Sequence, residues 1–239
     1  MTELYLYQTV HLCRGRARCV AEHVAVLAAA ARELFGIAYA PDLRQLAQRL
    51  EAAGAAQRHA ADVSCFVRLE LLPDGRERLL PAGVSYYDGY ALRSLAPEAV
   101  SLRYDLPLSE APTSAREAAM LLARAAAERA GARVAVRCDA EGCFRAAEEA
   151  PLFGVCGRTV LLAPGPAGVE RTLAVRAVRA AGLELRETAF GRRELPQIEE
   201  LFWVDHRGVT ALSRCDGQPL MSLFAERVAE AMESLFPKK

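Results

Sequence analysis

The sequence predicts a protein of the α+β class with two domains, and three observations lead to this prediction. Segments with the alternating pattern of half-buried strands and segments with apolar residues at helical spacing follow one another along the whole chain. A short segment with two prolines, 107–112, separates an earlier group of such segments from a later group. The 239 residues are enough for two ordinary domains. We therefore expect an N-terminal α+β domain over residues 1–106, a linker over 107–112 and a C-terminal α+β domain over 113–239.

The first region contains strand patterns and two helical patterns. The alternation over residues 4–20 is interrupted at Arg14-Gly15 and predicts a hairpin. Pro73-Asp74-Gly75 predicts a turn, because proline fixes φ and glycine accepts a positive φ. Pro41-Asp42 marks the start of the second helix. The predicted strands cover residues 4–20 as a hairpin, 64–72, 77–80 and 100–106, and the predicted helices cover 22–34 and 41–53.

The second region begins with a helix that Gly131 ends, and it continues with short strands and further helices. A loop of glycine and proline over residues 163–168 precedes the next long helix. The predicted helices cover residues 113–130, 169–181, 195–199 and 221–236, and the predicted strands cover 133–138, 143–147, 152–155, 159–162, 183–187, 201–204 and 209–212.

The composition excludes several classes of function. Acidic and basic residues number 30 each, so the chain lacks the basic surface typical of proteins that bind nucleic acids or anionic membranes. All but two of the basic residues are arginines, and the two lysines are Lys238 and Lys239. The seven cysteines are dispersed and odd in number, which indicates reduced thiols and no metal site. Because no signal sequence or long apolar run is visible, we expect a cytoplasmic protein without a membrane segment.

Four parts of the sequence carry a resemblance to one family, in the order in which that family has them. They are YQTVH at 7–11, LAR at 122–124 with DAEG at 139–142, GVER at 168–171, and ELF at 200–202 with RGV at 207–209. They resemble the class IV aminotransferases, which include branched-chain aminotransferases, D-amino-acid aminotransferases and aminodeoxychorismate lyases. The resemblance implies the two-domain D-amino-acid aminotransferase-like fold, a site in the cleft between the domains, and a homodimer.

The same resemblance implies that the chemistry of the family has been lost. The lysine that holds pyridoxal phosphate (PLP) in the family corresponds to Thr113, and the glutamate that faces the pyridine nitrogen corresponds to Ala146. Pro151 stands where the family has an asparagine five residues after that glutamate. Val26 stands where the family has an arginine that binds the phosphate, and Glu170 stands where it has a threonine at the phosphate-binding helix. Because an internal aldimine requires a lysine amine, we expect no PLP cofactor.

The resemblance places seven residues at the predicted cleft. The candidate catalytic residues are His206, His11 and Thr113, and the candidate substrate-binding residues are Arg207, Arg171, Ser114 and Tyr7. A histidine beside an arginine in the loop 205–208 would supply a titratable base next to a fixed cation for binding anions.

Structural alternatives exist for several of these residues. Ser114 stands three residues before Glu117, which is the spacing of a helix capping box. The 205–208 loop is also a plausible polar turn between two strands, and Arg171 is equally compatible with a structural salt bridge.

Three functions agree with this sequence, and whether the protein is an enzyme stays open. The favoured one is a PLP-independent enzyme of the lyase or elimination type that acts on a small carboxylate metabolite in the interdomain cleft. The alternative is a catalytically inactive paralogue, a pseudoenzyme that serves as a binding or partner subunit in a homodimer or in a heterodimer with a class IV relative. The third is a relative that binds PLP without a covalent bond.

Overall fold

The computed structural model describes residues 3–57, 63–108 and 111–236, so both lysines lie outside the described residues. The chain forms two compact units. Unit 1 comprises Met1–Gly89, Pro107–Arg116 and Ala167–Val169, and unit 2 comprises Tyr90–Leu106, Glu117–Pro166 and Glu170–Lys239. Among the described residues, no helix is both long and apolar enough to cross a lipid bilayer.

Unit 1 is an antiparallel sheet with two helices. Its sheet has the strand order β2-β1-β3-β4, and leucines of both helices, Leu27, Leu46 and Leu50, form one core cluster with Val10 and Val67 of the central strands. The elements are β1 (Leu6–Cys13), β2 (Arg16–Ala17), α1 (Val20–Leu34), α2 (Leu43–Ala55), β3 (Ser64–Leu71) and β4 (Glu77–Ser85).

Two local features of unit 1 follow from residue chemistry, as predicted. Arg14 and Gly15 both have positive φ, at 49° and 73°, which is the conformation of a tight two-residue hairpin turn between β1 and β2. Asp42 caps α2, and its carboxylate accepts a hydrogen bond of 2.9 Å from the backbone N–H of Gln45. The hairpin and the start of the second helix are therefore confirmed.

Unit 2 is built on one mixed sheet of eleven described strands. The main path has the order β15-β14-β6-β7-β8-β9-β12-β13-β5, and β10 joins β9 to β11. The strands are β5 (Leu92–Arg93), β6 (Glu98–Arg103), β7 (Val134–Cys138), β8 (Phe144–Ala147), β9 (Ala150–Cys156), β10 (Thr159–Leu162), β11 (Glu184–Glu187), β12 (Glu200–Asp205), β13 (Gly208–Ala211), β14 (Arg214–Cys215) and β15 (Gln218–Pro219). The helices are α3 (Arg116–Arg129), α4 (Val169–Ala180) and α5 (Leu223–Glu233), with one 3-10 turn at Leu195–Gln197.

The units differ from the predicted domains between residues 90 and 116. Residues 90–106 belong to unit 2 because β6 pairs in parallel with β7, with Ala99 opposite Val134. Residues 107–116, which include the predicted linker, belong to unit 1. The backbone N–H of Tyr7 donates a hydrogen bond of 2.8 Å to the carbonyl of Pro112. These pairings join residues far apart in sequence, so local patterns do not reveal them.

The loop before the 3-10 turn is held tightly against the hairpin of β7 and β8. A Cβ atom at Gly191 would lie 2.2 Å from the carbonyl oxygen of Gly142 and 2.8 Å from Cα of Cys143. We expect Gly191→Ala to lower the free energy of unfolding by about 2 to 4 kcal/mol, because backbone atoms must move apart to admit the methyl group. Urea unfolding measures this. The control is Gly168→Ala, where a Cβ meets nothing within 4 Å, and equal effects of the two changes would contradict the prediction.

Candidate functional site

A buried carboxylate organises the hairpin of β12 and β13. Asp205 is the last residue of β12, and it accepts hydrogen bonds from the backbone N–H of Arg207 at 2.7 Å and from Trp203 Nε1 at 3.2 Å. The guanidinium of Arg207 donates from Nε at 2.9 Å and from Nη2 to the same carboxylate. Burial raises the pKa of Asp205, but the charge of His206, which is protonated in the acidic range where Asp205 titrates, and the charge and bonds of Arg207 lower it overall. Asp205 is therefore ionised and fixed.

His206 occupies the two-residue turn between these strands and is half-buried. Burial lowers the pKa of His206 to about 4, the charge of Asp205 opposes this shift, and the charges of Arg207 and Arg93 add to it. At neutral pH its imidazole is consequently uncharged, and it can donate one hydrogen bond and accept one.

Arg207 keeps part of its donor capacity. Its Nε and Nη2 bind Asp205, whereas Nη1 makes no hydrogen bond within the described part of the chain. The pKa of Arg207 is raised, because the attraction of Asp205 outweighs burial, and Glu148 adds to the effect. The guanidinium is thus permanently charged, held in one orientation, and able to bind an anion through Nη1.

Glu170 is the group of this region that titrates near neutral pH. It is the second residue of α4 and is half-buried. The pKa of Glu170 is raised to about 7, mainly by burial; a hydrogen bond from its own backbone N–H opposes the shift and the charge of Asp205 adds to it. Glu170 therefore lies within electrostatic range of Asp205, and we call Glu170, Asp205, His206 and Arg207 the acid–base cluster.

A strained turn lies beside this cluster. Glu148 and Glu149 join β8 to β9 with φ of 50° and 56°, a conformation that favours glycine or asparagine. Glu148 forms an ion pair with Arg124, and Glu149 accepts hydrogen bonds from Tyr104 at 2.8 Å and Arg137 at 3.1 Å. These contacts hold the turn in its strained form and bring the charge of Glu148 into the range of Arg207.

The predicted site residues are divided between the units. His206, Arg207 and Arg171 belong to unit 2, and His11, Thr113, Ser114 and Tyr7 belong to unit 1. Within unit 2, His206 and Arg207 share one turn. The guanidinium of Arg171 binds the carbonyl of Ala163 at 2.9 Å and Glu187 at 2.6 Å, which are the contacts of a structural residue. An anion-binding role for Arg171 stays a prediction.

Two of the predicted residues in unit 1 are held in local contacts. His11 is fully buried on β1, and its Nε2 lies 2.8 Å from Ser64 Oγ, which accepts a hydrogen bond of 3.0 Å from Gly89 N–H. The ring of Tyr7 lies 4.0 Å below the guanidinium carbon of Arg68. These contacts orient both side chains, and their catalytic or binding roles stay predictions.

Thr113 and Ser114 differ in how their hydroxyls are used. The Oγ of Ser114 accepts a hydrogen bond from Tyr5 N–H and donates one to the carbonyl of Glu3, both at 3.2 Å. These bonds tie Ser114 to the chain before β1, and the predicted capping box with Glu117 stays a prediction. Thr113 is fully buried, and its Oγ1 makes no hydrogen bond among the described residues.

Sequence reasoning included Asp205 in the candidate loop 205–208 without giving it a role, and it missed Glu170 as a member of the site. The available signal for Glu170 was a carboxylate at the position where the resemblance implies a neutral threonine at the phosphate-binding helix. Its pKa depends on burial beside Asp205, which the sequence does not reveal.

Comparison with known proteins identifies the fold. No family profile matches the chain, and no curated protein matches it. An aminotransferase from Brucella abortus, bound to the co-factor PLP, superimposes with a TM-score of 0.80 at 16% identity, over 97% of this chain and 88% of that one. A branched-chain amino acid aminotransferase from Escherichia coli has a TM-score of 0.78 at 14% identity, over 98% of this chain and 85% of that one. A putative 4-amino-4-deoxychorismate lyase from Legionella pneumophila has a TM-score of 0.78 at 13% sequence identity, over 96% of this chain and 90% of that one.

These similarities confirm the predicted fold. The chain has the α+β fold of the class IV aminotransferases and aminodeoxychorismate lyases. Because the identities are below 20%, they establish the fold and leave the activity to be argued from this chain's own residues.

We expect Asp205→Asn to lower the free energy of unfolding at pH 7 by about 2 to 4 kcal/mol, since it leaves the Arg207 guanidinium without its counter-charge. Urea unfolding measures the change. The control is Glu184→Gln, which removes an ion pair with Arg186 in which both side chains are mostly exposed and should cost less than about 1 kcal/mol. A loss no larger for Asp205→Asn than for the control would show that the carboxylate is not an anchor.

Proposed function

We propose that this protein is an enzyme of the lyase or elimination type that works without Schiff-base PLP and acts on a small carboxylate metabolite. The acid–base cluster of unit 2 carries the proposal. It holds a carboxyl group with a pKa of about 7 within electrostatic range of Asp205, and Asp205 is followed in the chain by an uncharged imidazole and a fixed guanidinium. Groups whose surroundings move their pKa values in different directions are typical of acid–base catalysis.

The residues at the family's cofactor positions do not fit covalently bound PLP. Thr113 supplies a hydroxyl where the Schiff base needs an amine, and Ala146 supplies no carboxylate for the pyridine nitrogen. The first turn of α4 carries Glu170 within range of the ionised Asp205. Two carboxyl groups repel a phosphate dianion where neutral donors should attract it. Each of these differences supports chemistry that does not use the cofactor.

Glu170 has the properties of the proton-transfer group. As a carboxylate with a pKa of about 7, it is a stronger base than an ordinary glutamate and is still substantially ionised at neutral pH. It would take a proton from the carbon next to the substrate's carboxylate, the electron pair would form a carbon–carbon double bond, and the leaving group would depart. Glu170 would afterwards return the proton to solvent or to the leaving group.

The other members of the cluster would bind and polarise the substrate. Nη1 of Arg207 would hold the substrate carboxylate, while the guanidinium stays oriented by Asp205. The uncharged ring of His206 would donate a hydrogen bond to the leaving oxygen or to a substrate carbonyl. Asp205 is a positioning residue, because its oxygens are occupied by Trp203 and Arg207.

A second function is favoured by the contacts in unit 1. Ser114 already uses its hydroxyl as both donor and acceptor, and His11 lies fully buried beside Ser64. Side chains committed to structural contacts in this way suit a partner subunit without catalytic activity, in a homodimer or in a complex with a class IV relative.

The test of the enzyme proposal uses a set of small carboxylates that bear a leaving group on the β carbon, next to the carbon that would lose its proton. Proton NMR in D2O records loss of the leaving group or exchange of the carbon-bound proton. We expect the rate constant kcat/KM to rise with pH through about 7, as Glu170 loses its proton. Glu170→Gln should lower the rate at least about 100-fold and remove the inflection.

The control for this test is Glu184→Gln, which changes an exposed glutamate elsewhere in unit 2 and should leave both rate and profile unchanged. If the folded wild-type protein converted none of these compounds, or if Glu170→Gln kept the wild-type profile, the enzyme proposal would be overturned in favour of the partner subunit.

The absence of Schiff-base chemistry is tested separately with PLP itself. We expect no stoichiometric adduct in the body of the chain after incubation with PLP and reduction with borohydride, because lysine occurs only at positions 238 and 239. Mass spectrometry locates any adduct. A chain ending at residue 237 is the control for reaction at the tail. Stoichiometric binding of PLP to the wild-type chain, covalent or not, with transaminase activity would contradict the proposal.

A further inference from the structure

Strand β5 brings a second guanidinium to the part of the sheet that carries the acid–base cluster. β5 pairs in parallel with β13, and Arg93 lies opposite Thr210. Nη1 of Arg93 donates a hydrogen bond of 3.2 Å to Thr210 Oγ1. Thr210 is fully buried and Arg93 is half-buried. The fixed hydroxyl therefore orients the guanidinium of Arg93 near the surface of unit 2.

Arg93 and Arg207 belong to the same face of the sheet. Residues paired across two strands point to one face, and so do residues two apart along a strand. Thr210, opposite Arg93, lies two residues after Gly208. Gly208 is in turn paired with Asp205, onto which the guanidinium of Arg207 folds back. The two guanidiniums thus belong to adjacent rows of one face, and the rows are about 7 Å apart along the strand.

The electrostatics of His206 agree with this placement. Burial lowers the pKa of His206, the charge of Asp205 opposes this shift, and the charges of Arg207 and Arg93 lower the pKa further. Because such effects require proximity, both arginines lie within electrostatic range of the same ring. The charge of Arg93 is permanent, since a guanidinium stays protonated in proteins. An anion bound beside His206 is therefore attracted by two cations.

We propose that the substrate is a dicarboxylate, and that Arg93 binds its second carboxylate while Arg207 binds the first. This inference rests on the proposed function, because it names the substrate class of the same site. The charge of Arg207 is already paired with Asp205, so Arg93 adds attraction for an anion that this ion pair by itself lacks. Four-carbon dicarboxylates suit the site, because two carbon atoms separate their carboxylates and two adjacent rows of the sheet carry the guanidiniums.

Malate, which is 2-hydroxysuccinate, shows how such a substrate would react. Glu170 would remove a proton from the methylene carbon, which is next to the carboxylate at Arg207. The electron pair would form the carbon–carbon double bond, and the hydroxyl group would leave from the next carbon, which bears the carboxylate at Arg93. The proton held by Glu170 would pass to the departing hydroxide, so the products are fumarate and water.

Binding of succinate and butyrate to the full-length protein tests the proposal without turnover. Butyrate has a methyl group where succinate has its second carboxylate. We expect isothermal titration calorimetry at pH 7 to show that the wild-type protein binds succinate at least about 10-fold more tightly than butyrate. Arg93→Gln and Arg93→Met, two uncharged replacements, should each remove this preference. The control is Arg186→Gln, which removes an exposed arginine paired with Glu184 elsewhere in unit 2 and should change neither affinity.

Three results would overturn the proposal: no binding of succinate, equal affinities of the wild-type protein for the two probes, or a preference that survives in the Arg93 variants. Urea unfolding curves show whether each variant is folded. If neither variant folds, the wild-type comparison still decides, because it needs no substitution.

A second pair of compounds separates this inference from the enzyme proposal. Malate and 3-hydroxybutyrate carry the same hydroxyl group on the β carbon, and only malate has a second carboxylate there. We expect kcat/KM for malate to exceed that for 3-hydroxybutyrate at least about 10-fold. Equal values would reject the dicarboxylate and keep the enzyme proposal. Preferential binding of succinate without conversion of any carboxylate in the set would keep the dicarboxylate site and reject only the enzyme proposal.

Discussion

The hydrogen-bonded carboxylate of Asp205 is the interaction on which the candidate site depends. A buried charge is tolerated only when donors satisfy it, and here Trp203 and Arg207 do so from positions two residues away on either side. The same bonds close the turn of the β12–β13 hairpin and orient the guanidinium of Arg207. They also hold a fixed negative charge near Glu170 and His206. A single side chain thereby sets the geometry of the turn and contributes to the proton affinity of its neighbours.

In the proposed function, Glu170 bears on both phosphate binding and proton transfer. At the first turn of α4 its carboxyl group opposes the binding of a phosphate, which a helix N-terminus would otherwise favour. Burial near Asp205 makes the same carboxyl group a proton acceptor at neutral pH. In the proposed function, a fold that holds PLP in the Brucella abortus aminotransferase would here present a titratable group to a small substrate.

The parts of the fold that were predicted correctly depend on neighbours in the sequence. The turn at Arg14-Gly15 and the cap at Asp42 are decided by contacts within a few residues, and the sequence contains all of them. Ser114 Oγ, by contrast, accepts a hydrogen bond from Tyr5 N–H, 109 residues away, which no local spacing indicates. Local sequence patterns indicate which hydrogen bonds a side chain can form. Which of them it forms also depends on partners from distant parts of the chain.

The amino-acid sequence by itself determined the fold class, most of the helices and strands, and the absence of a lysine from the body of the chain. These depend on residue type and on spacing along the chain. Only the tertiary structure decided that residues 90–106 join unit 2, that Glu170 titrates near neutral pH, and that α3 turns its leucines outward. Strand pairing, desolvation and exposure are set by atoms brought together from distant parts of the chain, and their effects arise only on folding.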